Sequence, residues 1–576
     1  MTEPLRIIPL GGLGEVGKNM LAIEYGQDIL VIDAGIMFPT NDMLGIDFII
    51  PDWRYLLDKK DHVRAIIVTH GHEDHTGAIA YLVRDIPAPI YTTRLTRGLI
   101  EVKLRHGKVA DATTITTIYP GDRITLGPFT IEPFRMCHSI PDNIGLGIET
   151  PAGLIVHSGD FKFDHTPVDG NPTDFARLAE FAGRDVLVLL SDSTNAERPT
   201  WTPSERVVDS AFDAVFREAP GRIIVATFAS LISRIQQTIN VAARHDRRLV
   251  VAGATISENV RMAHDLGYLE IPDGLQARPD ELGRLPPERI AIITTGTQGE
   301  PSAGLGRLAT GQHRWLSIER GDTVIMSAHP IPGNEEMVHR TVNKLIQRGA
   351  DVLYDPIAAV HVSGHASQEE QKLLINLVRP KFFVPVHGEL RHLRQHGMLA
   401  CELGIPADHV AVVENGYTLE FTGDGMTIGE RVPGGYVFVD GARVGDIGPT
   451  VMHDREALGR DGFLIAVVAL NDSGEVVNRP EIITRGFVYV KESEEIIQGV
   501  QDVILRAVNE DGLAGRNISA LRDELERLLS TYIYNQIRRR PMVFVILTTG
   551  AIEAEQGTEP ALSEAKGSGE PQPPTP

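Results

Sequence analysis

Residues 69–78 read THGHEDHTGA and place His70, His72, Asp74 and His75 within six positions, directly after the apolar run RAIIV. On an extended segment, side chains two apart point to the same side, so His70 and His72 converge. Asp74 and His75 follow at the expected start of the helix TGAIAYLVR. A strand end and a helix N-terminus would thus fix four ligands at one corner. Neutral imidazole and carboxylate suit zinc or manganese, whereas calcium takes mostly oxygen ligands. Four ligands so close in sequence do not comfortably wrap one small tetrahedral ion. Two ions sharing the cluster, with ligands from elsewhere, is the easier geometry. Further candidates are His138 in RMCHSIPD, Asp160 in HSGDFKFD and His387 in PVHGE, each near the end of an apolar run.

The elements that must position these residues show in the apolar patterning. DILVID ends at Asp33, RAIIVT at Thr69, LIVHSGD at Asp160 and VLVLLSDSTN at Asn195. Continuous apolar runs of this kind suit strands covered on both faces, with polar residues at the carboxyl ends, where α/β architectures place their sites. From about Pro203 the rhythm becomes strand–helix alternation. RIIVATF (222–228) precedes SRIQQTINVAARH, LVVAG (249–253) precedes ISENVRMAHDL, and RIAIITTG (289–296) and DTVIMSAH (322–329) follow. That is a parallel-sheet pattern. Around Asp355–His365 the chain leaves it, and KFFVPVHGE (381–389) reads as a strand ending in a histidine.

Past roughly Val451 comes a smaller α+β unit: FLIAVVAL, GFVYV, helical stretches at 493–510 and 516–537, then MVFVILT. From about Ile552 the composition is rich in Glu, Pro, Gly and Ser, the signature of a disordered tail. The fold class is therefore α/β, with expected divisions at 1–205, 206–358, 359–450, 451–551 and 552–576. The separation of Asp160 from His387 far exceeds one βα unit, so a domain must be inserted between them.

With 576 residues the chain exceeds one core. No apolar run approaches the ~20 residues of a membrane span. The start, MTEPLRIIPLGG, lacks the basic and apolar segments of a signal peptide, and the only cysteines are Cys137 and Cys401. A cytoplasmic location without a membrane is the expectation, and any metal must be held by His and carboxylate. The net charge of −22 argues against a generic nucleic-acid coat. It leaves room for a basic groove, which RLTRGLIEVKLRHGK (94–108) could line, although the composition of that stretch favours a solvated helix face.

HxHxDH followed by a lone His, a lone Asp and a distant His resembles the metallo-β-lactamase superfamily. GGLGEVGKNM (11–20), VIDAGIMFP, THGHEDHTGAIAYL, FRMCHSIPDNIG, SDSTN, TFASLISRIQQ, HVSGHAS and PVHGE are similar to the ribonuclease J family of its β-CASP group, and the resemblance runs to about Thr548. It implies an αββα metallo-β-lactamase sandwich, an inserted α/β β-CASP domain and a C-terminal α+β domain that supports dimerisation. It implies two divalent ions per subunit, Zn²⁺ or Mn²⁺ with Mg²⁺ as a further candidate, about 3.5–4 Å apart. His70, His72 and His138 would hold one ion and Asp74, His75 and His387 the other, with Asp160 bridging and Asp33 orienting a ligand. Such a pair activates water and offsets charge building on phosphorus. Asp74, Asp192 and His365 take catalytic roles, His365 protonating the leaving oxygen beside Asp192. His361, Ser363 and His365, with Ser230, would contact RNA phosphate, and Arg234 would either join them or form a salt bridge on its helix.

The implied activity is metal-dependent hydrolysis of single-stranded RNA, 5′→3′ from 5′-monophosphate ends and also internal, in mRNA decay and rRNA maturation. The RNA would track a positively lined channel, with stacking on aromatic residues. Implied partners are the RNA itself, a second copy in a homodimer or homotetramer, and components of an RNA-decay complex. The rivals are a small-molecule hydrolase of β-lactamase or thioesterase type, a DNA-processing relative, and a catalytically weak RNA-binding scaffold. The inserted domain and HVSGHAS count against the first, GGLGEVGKNM against the second, and the complete ligand set against the third.

Overall fold

The structure, a computed structural model, describes residues 3–40, 42–423, 425–441, 443–486, 493–510 and 517–549. It divides into two compact units, Met1–Asp446 and Ile447–Pro576.

The first unit is built on two facing sheets. One has eight strands in the order Gly425–Arg431, Tyr417–Thr422, Leu5–Gly11, Met20–Tyr25, Asp28–Ile32, Val63–Val68, Ile90–Thr92, Ile115–Thr117. The other has six: Phe382–Val386, Val186–Asp192, Gly153–His157, Ile144–Thr150, Phe129–Arg135, Ile124–Leu126. Strand side chains alternate between faces, and here both faces are apolar. Ile7, Leu30 and Ile32 of the first sheet share a core with Ile131, Leu146, Val188 and Val384 of the second. Ile8, Val31 and Ile66 point the other way, onto the helix Ile79–Asp85. Phe134, Val156 and Phe383 likewise meet the helices Phe175–Ala182 and Gln368–Val378. The result is an αββα sandwich.

Between Val186–Asp192 and Phe382–Val386, which pair in parallel as neighbours, the chain detours through a second sheet. Its five parallel strands run Arg248–Ala252, Ile290–Thr294, Ile223–Ala226, Thr323–Met326, Asp351–Tyr354. Helices cover both of its faces, Ile232–Arg244 on one and Glu335–Gln347 on the other. The last strand, Asp351–Tyr354, extends the strand–helix rhythm up to the point where the sequence was read as leaving it.

The second unit has a three-stranded sheet, Glu481–Arg485, Phe463–Leu470, Met542–Thr549, covered on one face by the helices Ser493–Leu505 and Ile518–Ile537. Leu464, Ala466 and Val468 pack beneath Val500, Leu525 and Leu529, whereas Ile483, Phe544 and Ile546 of the same sheet are exposed. The second strand in chain order was expected at GFVYV, of which 487–490 fall outside the described residues; the observed second strand, Glu481–Arg485, lies just before it. The tail expected at 552–576 also lies outside them.

Candidate metal centre

Strand Val63–Val68 delivers Thr69 and His70, both fully buried, to the carboxyl end of the first sheet. The Thr69 amide and hydroxyl donate to Asp33, at 2.8 Å and 2.9 Å. Asp33 itself stands just past strand Asp28–Ile32 with φ of 60°, and His387 just past Phe382–Val386 with φ of 54°. Left-handed backbone at non-glycine residues costs energy and clusters where surroundings over-determine it, as at functional sites. The helix expected to start at Thr76 is broken: Glu73–Thr76 is a single turn, and Ile79–Asp85 begins after Gly77. The loop after Asp33 lies against that turn so closely that a Cβ on Gly35 would meet the Asp74 carbonyl oxygen at 1.6 Å.

The donor atoms form two groups. His70 Nε2 lies 3.2 Å from His72 Nδ1, and His138 Nε2 lies 3.1 Å from the same atom. The Nδ1 protons of His70 and His138 are engaged elsewhere, by Thr69 Oγ at 3.1 Å and Gly364 O at 2.8 Å. Two lone pairs therefore face one nitrogen that can satisfy at most one of them, a donor set that a divalent cation completes. In the second group His75 Nε2 and His387 Nε2 lie 3.5 Å and 3.2 Å from Asp74 Oδ2. His75 donates through Nδ1 to Asp33 at 2.7 Å, which fixes its ring orientation as in other metal-binding histidines. Asp160 Oδ2 lies 3.1 Å from His75 Nε2, 3.7 Å from His70 Nε2 and 3.9 Å from His138 Nε2. One carboxylate thus reaches both groups.

Electrostatics separates the histidines. Burial, aided by neighbouring imidazoles, pushes His70 and His138 well below the ordinary histidine range. Burial holds His72 at about 4. These three imidazoles are neutral at pH 7. Burial disfavours charge on His75 and His387 too, but the surrounding carboxylates prevail, raising His75 well above the ordinary range and His387 to about 10. The same histidines keep Asp74 and Asp160 ionised against burial. A carboxylate-rich pocket that demands positive charge is what a cation meets.

Asp192 and His365, 173 residues apart, meet at the edge of this cluster. Asp192 Oδ2 accepts from His365 Nδ1 at 2.8 Å, while Oδ1 accepts from the Thr194 amide and hydroxyl at 2.9 Å and 2.8 Å. Burial alone would lower the His365 pKa; Asp192 and then Asp160 outweigh it and raise the pKa above its ordinary value.

His365 lines a cleft of about 400 Å³ together with His361, Ser363 and Ser230, and with His72, Asp74, His138, Asp160 and His387 on its floor. The segment 360–365 is held by its carbonyls: His365 O accepts from Asn195 at 2.9 Å and Thr202 at 2.7 Å. Asn195 also donates to Ser363 Oγ at 2.8 Å.

One expectation needs correction. Arg234, read as a phosphate contact or a salt bridge, is not at a phosphate: it is 1% exposed, and its guanidinium is spent on Glu205 (2.6 Å), Gln237 (2.8 Å), Val360 O (3.0 Å) and Ser327. The stretch 94–108 takes the helix-face reading that its composition favoured over a basic groove. Its helix, Arg94–His106, buries Leu95, Leu99 and Leu104, while Lys103 pairs with Glu73, Arg97 with Glu101, and Arg105 and His106 with Glu258. Among the described residues lining the cleft, Arg198 and Arg391 are the basic ones, against Glu73, Asp74, Asp160, Glu197 and Glu335.

Sequence reasoning passed over Thr69, Thr194 and Asn195, which orient ligands and loop, and Lys162, which is fully buried between Phe161 and Phe163. A lysine flanked by two phenylalanines directly after a candidate ligand was the available signal.

Comparison with known proteins agrees with this geometry. Residues 13–178 match the metallo-beta-lactamase superfamily, 220–345 the ribonuclease J beta-CASP domain, 350–410 the Zn-dependent metallo-hydrolase RNA specificity domain, and 450–550 the ribonuclease J C-terminal domain. Ribonuclease J2 of Bacillus subtilis is 42% identical over 549 residues, 95% of this chain and 99% of that protein. Ribonuclease J of Synechocystis is 41% identical over 567 residues (96% and 88%), and that of Thermus thermophilus 41% over 555 (95% and 96%). The crystal structure of a protein of unknown function from Enterococcus faecalis shares the fold, with a TM-score of 0.52 at 15% identity, over 72% of this chain and 100% of that one.

Proposed function

The chain belongs to the ribonuclease J family, and on that premise we propose that its cleft holds the 5′-monophosphate end of single-stranded RNA and hydrolyses the phosphodiester next to it. The protein is a metal-dependent ribonuclease with 5′→3′ exonuclease and endonuclease activity, serving RNA decay and maturation. The observation that carries the reading is the shared Asp160: one carboxylate reaches both donor groups at the floor of a cleft whose wall is the 361–365 loop.

In our reading His70, His72 and His138 hold one divalent ion and Asp74, His75 and His387 a second, Zn²⁺ or Mn²⁺, with Asp160 between them. Divalent ions bound there supply Lewis-acid activation of water and of the phosphoryl oxygens. Asp33 and Thr69 keep His75 and His70 in the tautomers that present Nε2. Asp192 keeps His365 protonated, and His365 gives that proton to the departing 3′-oxygen, leaving a 3′-hydroxyl and a 5′-phosphate. Ser363, His361 and Ser230 hold the terminal phosphate. Since Arg198 and Arg391 are the basic side chains lining the cleft, phosphate recognition there falls mainly to imidazole and hydroxyl donors. The exposed Ile483, Phe544 and Ile546 support association of the C-terminal unit with a second copy.

The test digests 3′-labelled single-stranded RNA carrying a 5′-monophosphate or a 5′-triphosphate, with Mn²⁺ or Zn²⁺, using wild type and His75→Ala. Shortening from the 5′ end, faster for monophosphate and absent in the variant, is expected. No cleavage by wild type, with RNA still bound, would leave a binding scaffold.

A further inference from the structure

Where the chain passes from the sandwich into the inserted sheet, at 203–205, and where it returns, at 360–363, both crossings are tied to one buried charge cluster. Lys162 is fully buried, and its ammonium lies 3.2 Å from Glu205 Oε1, 3.3 Å from Pro203 O and 3.2 Å from Ser363 O. An ammonium has three protons, and these three acceptors use them. Glu205, 4% exposed, turns its other oxygen to Arg234 at 2.6 Å. Arg234 in turn donates to Val360 O at 3.0 Å, and Ser327 Oγ reaches that same carbonyl at 2.5 Å.

The loop that presents His361, Ser363 and His365 is therefore gripped at Val360 O by Arg234 and at Ser363 O by Lys162, with Glu205 paired to both cations, one through each oxygen. Lys162 stands two residues after Asp160, and Phe161 and Phe163 on either side of it are buried in the sandwich core. Asp160 and Lys162 thus share a short rigid segment: one end meets the donor groups of the metal centre, the other the phosphate loop.

We propose that Lys162, Glu205 and Arg234 are positioning residues that set the spacing between the phosphate loop and the metal centre, and so the register of cleavage from the RNA 5′ end. They touch no substrate. The inference rests on the reading of the cleft under Proposed function. Buried ion clusters contribute little net stability compared with apolar packing but can fix one geometry, and an ångström of misplacement suffices to impair a positioned reaction. Endonucleolytic cleavage needs no seated 5′ phosphate, and His365, the acid that both reactions share, has its own anchors at Asn195, Thr202 and Asp192, so the endonuclease reaction tolerates a change at Val360 and Ser363.

The experiment compares wild type with Lys162→Met and Glu205→Gln on three RNAs of one sequence: linear with 5′-monophosphate, linear with 5′-hydroxyl, and circular. The readouts are the length of the first product, the monophosphate-over-hydroxyl ratio of kcat/KM, cleavage of the circle, and bound metal. In the variants the ratio should fall by about 10²-fold and the first products become mixed in length, while circle cleavage stays within about threefold and metal content is unchanged. Retention of the wild-type ratio and product length overturns the proposal. Parallel loss on the circle and the linear RNAs, or loss of metal, overturns it as well, because the residues would then serve only the fold. Glu205→Gln preserves shape and decides alone should Lys162→Met fail to fold. A wild type that cleaves none of the three RNAs refutes the nuclease reading itself, and this inference falls with it.

Discussion

Replacing Asp192 by Asn takes one negative charge from a carboxylate that is 1% exposed and 2.8 Å from His365 Nδ1. Asn can still accept from Thr194 through its carbonyl, so the loop geometry survives. The loss is the charge-assisted hydrogen bond that keeps the His365 imidazolium in place. Such bonds contribute about 1.5–3 kcal/mol, which at 1.36 kcal/mol per decade is about 10- to 10²-fold in rate. His365→Gln removes the acid altogether and should cost more, about 10²- to 10⁴-fold. In both cases kcat should fall while KM moves little.

The pH profile carries a second signature. The raised pKa of His365 means that the acid is present at low pH and is lost as pH rises through that value. In Asp192→Asn the alkaline limb should therefore move to lower pH. The assay is single-turnover cleavage of 5′-monophosphorylated RNA, repeated with a 3′-bridging sulfur at the scissile linkage, a leaving group that needs no proton. The sulfur substrate should restore both variants to within about tenfold of wild type. If sulfur leaves the Asp192→Asn defect unchanged, Asp192 acts otherwise, through His387 for example, whose Nδ1 lies 3.4 Å from it.

Other expectations follow from neighbouring features. Asp33→Asn weakens the grip on His75 and Thr69 and should reduce metal affinity by about 10- to 100-fold; metal retained after dialysis against graded chelator measures it, and unchanged retention would refute the role. Two cleft arginines, Arg198 and Arg391, predict a shallow salt dependence for RNA binding, a slope of log K on log salt of about −1.4; a slope near −5 would mean that the RNA follows a basic surface elsewhere. Glu205, held at about 2 by Lys162 and Arg234 against the opposing effect of burial, stabilises the fold fully above its ordinary value of 4.5 and loses that contribution as pH falls towards 2. The contribution is about 3 kcal/mol, so denaturant titrations of wild type and Glu205→Gln should converge on going from pH 7 to pH 3, and a constant gap would contradict the assignment.

What the sequence made legible was local or periodic. His70, His72, Asp74 and His75 reveal themselves because their spacing fixes their geometry within one turn of chain. Asp160 and His387 were legible as polar residues ending apolar runs. Arg234 stood open between a phosphate and a salt bridge because nothing in SRIQQ announces burial; its partners Glu205, Ser327 and Val360 come from other elements, and its environment exists only once the two crossings close around it. The stretch 94–108 is the helix face that its composition favoured over a basic groove, but its ion-pair partners were not legible: Glu73 and Glu258 are acids supplied by distant helices. Lys162 was passed over because a lone lysine is ordinarily solvated, although the phenylalanines on both sides announced otherwise.

The parallel pairing of Val186–Asp192 with Phe382–Val386, and of Leu5–Gly11 with Tyr417–Thr422 in antiparallel sense, has a consequence during synthesis. Five of the residues assigned to the two donor groups lie within the first 140 positions, yet His387 and the strand that seats it are made nearly 250 residues later. The first strand of the chain likewise waits for Tyr417–Thr422 to cover its free edge. A nascent chain thus carries an incomplete donor set until position 387 of 576 has been made, so an enzyme that degrades RNA is assembled only after most of the RNA encoding it has been read.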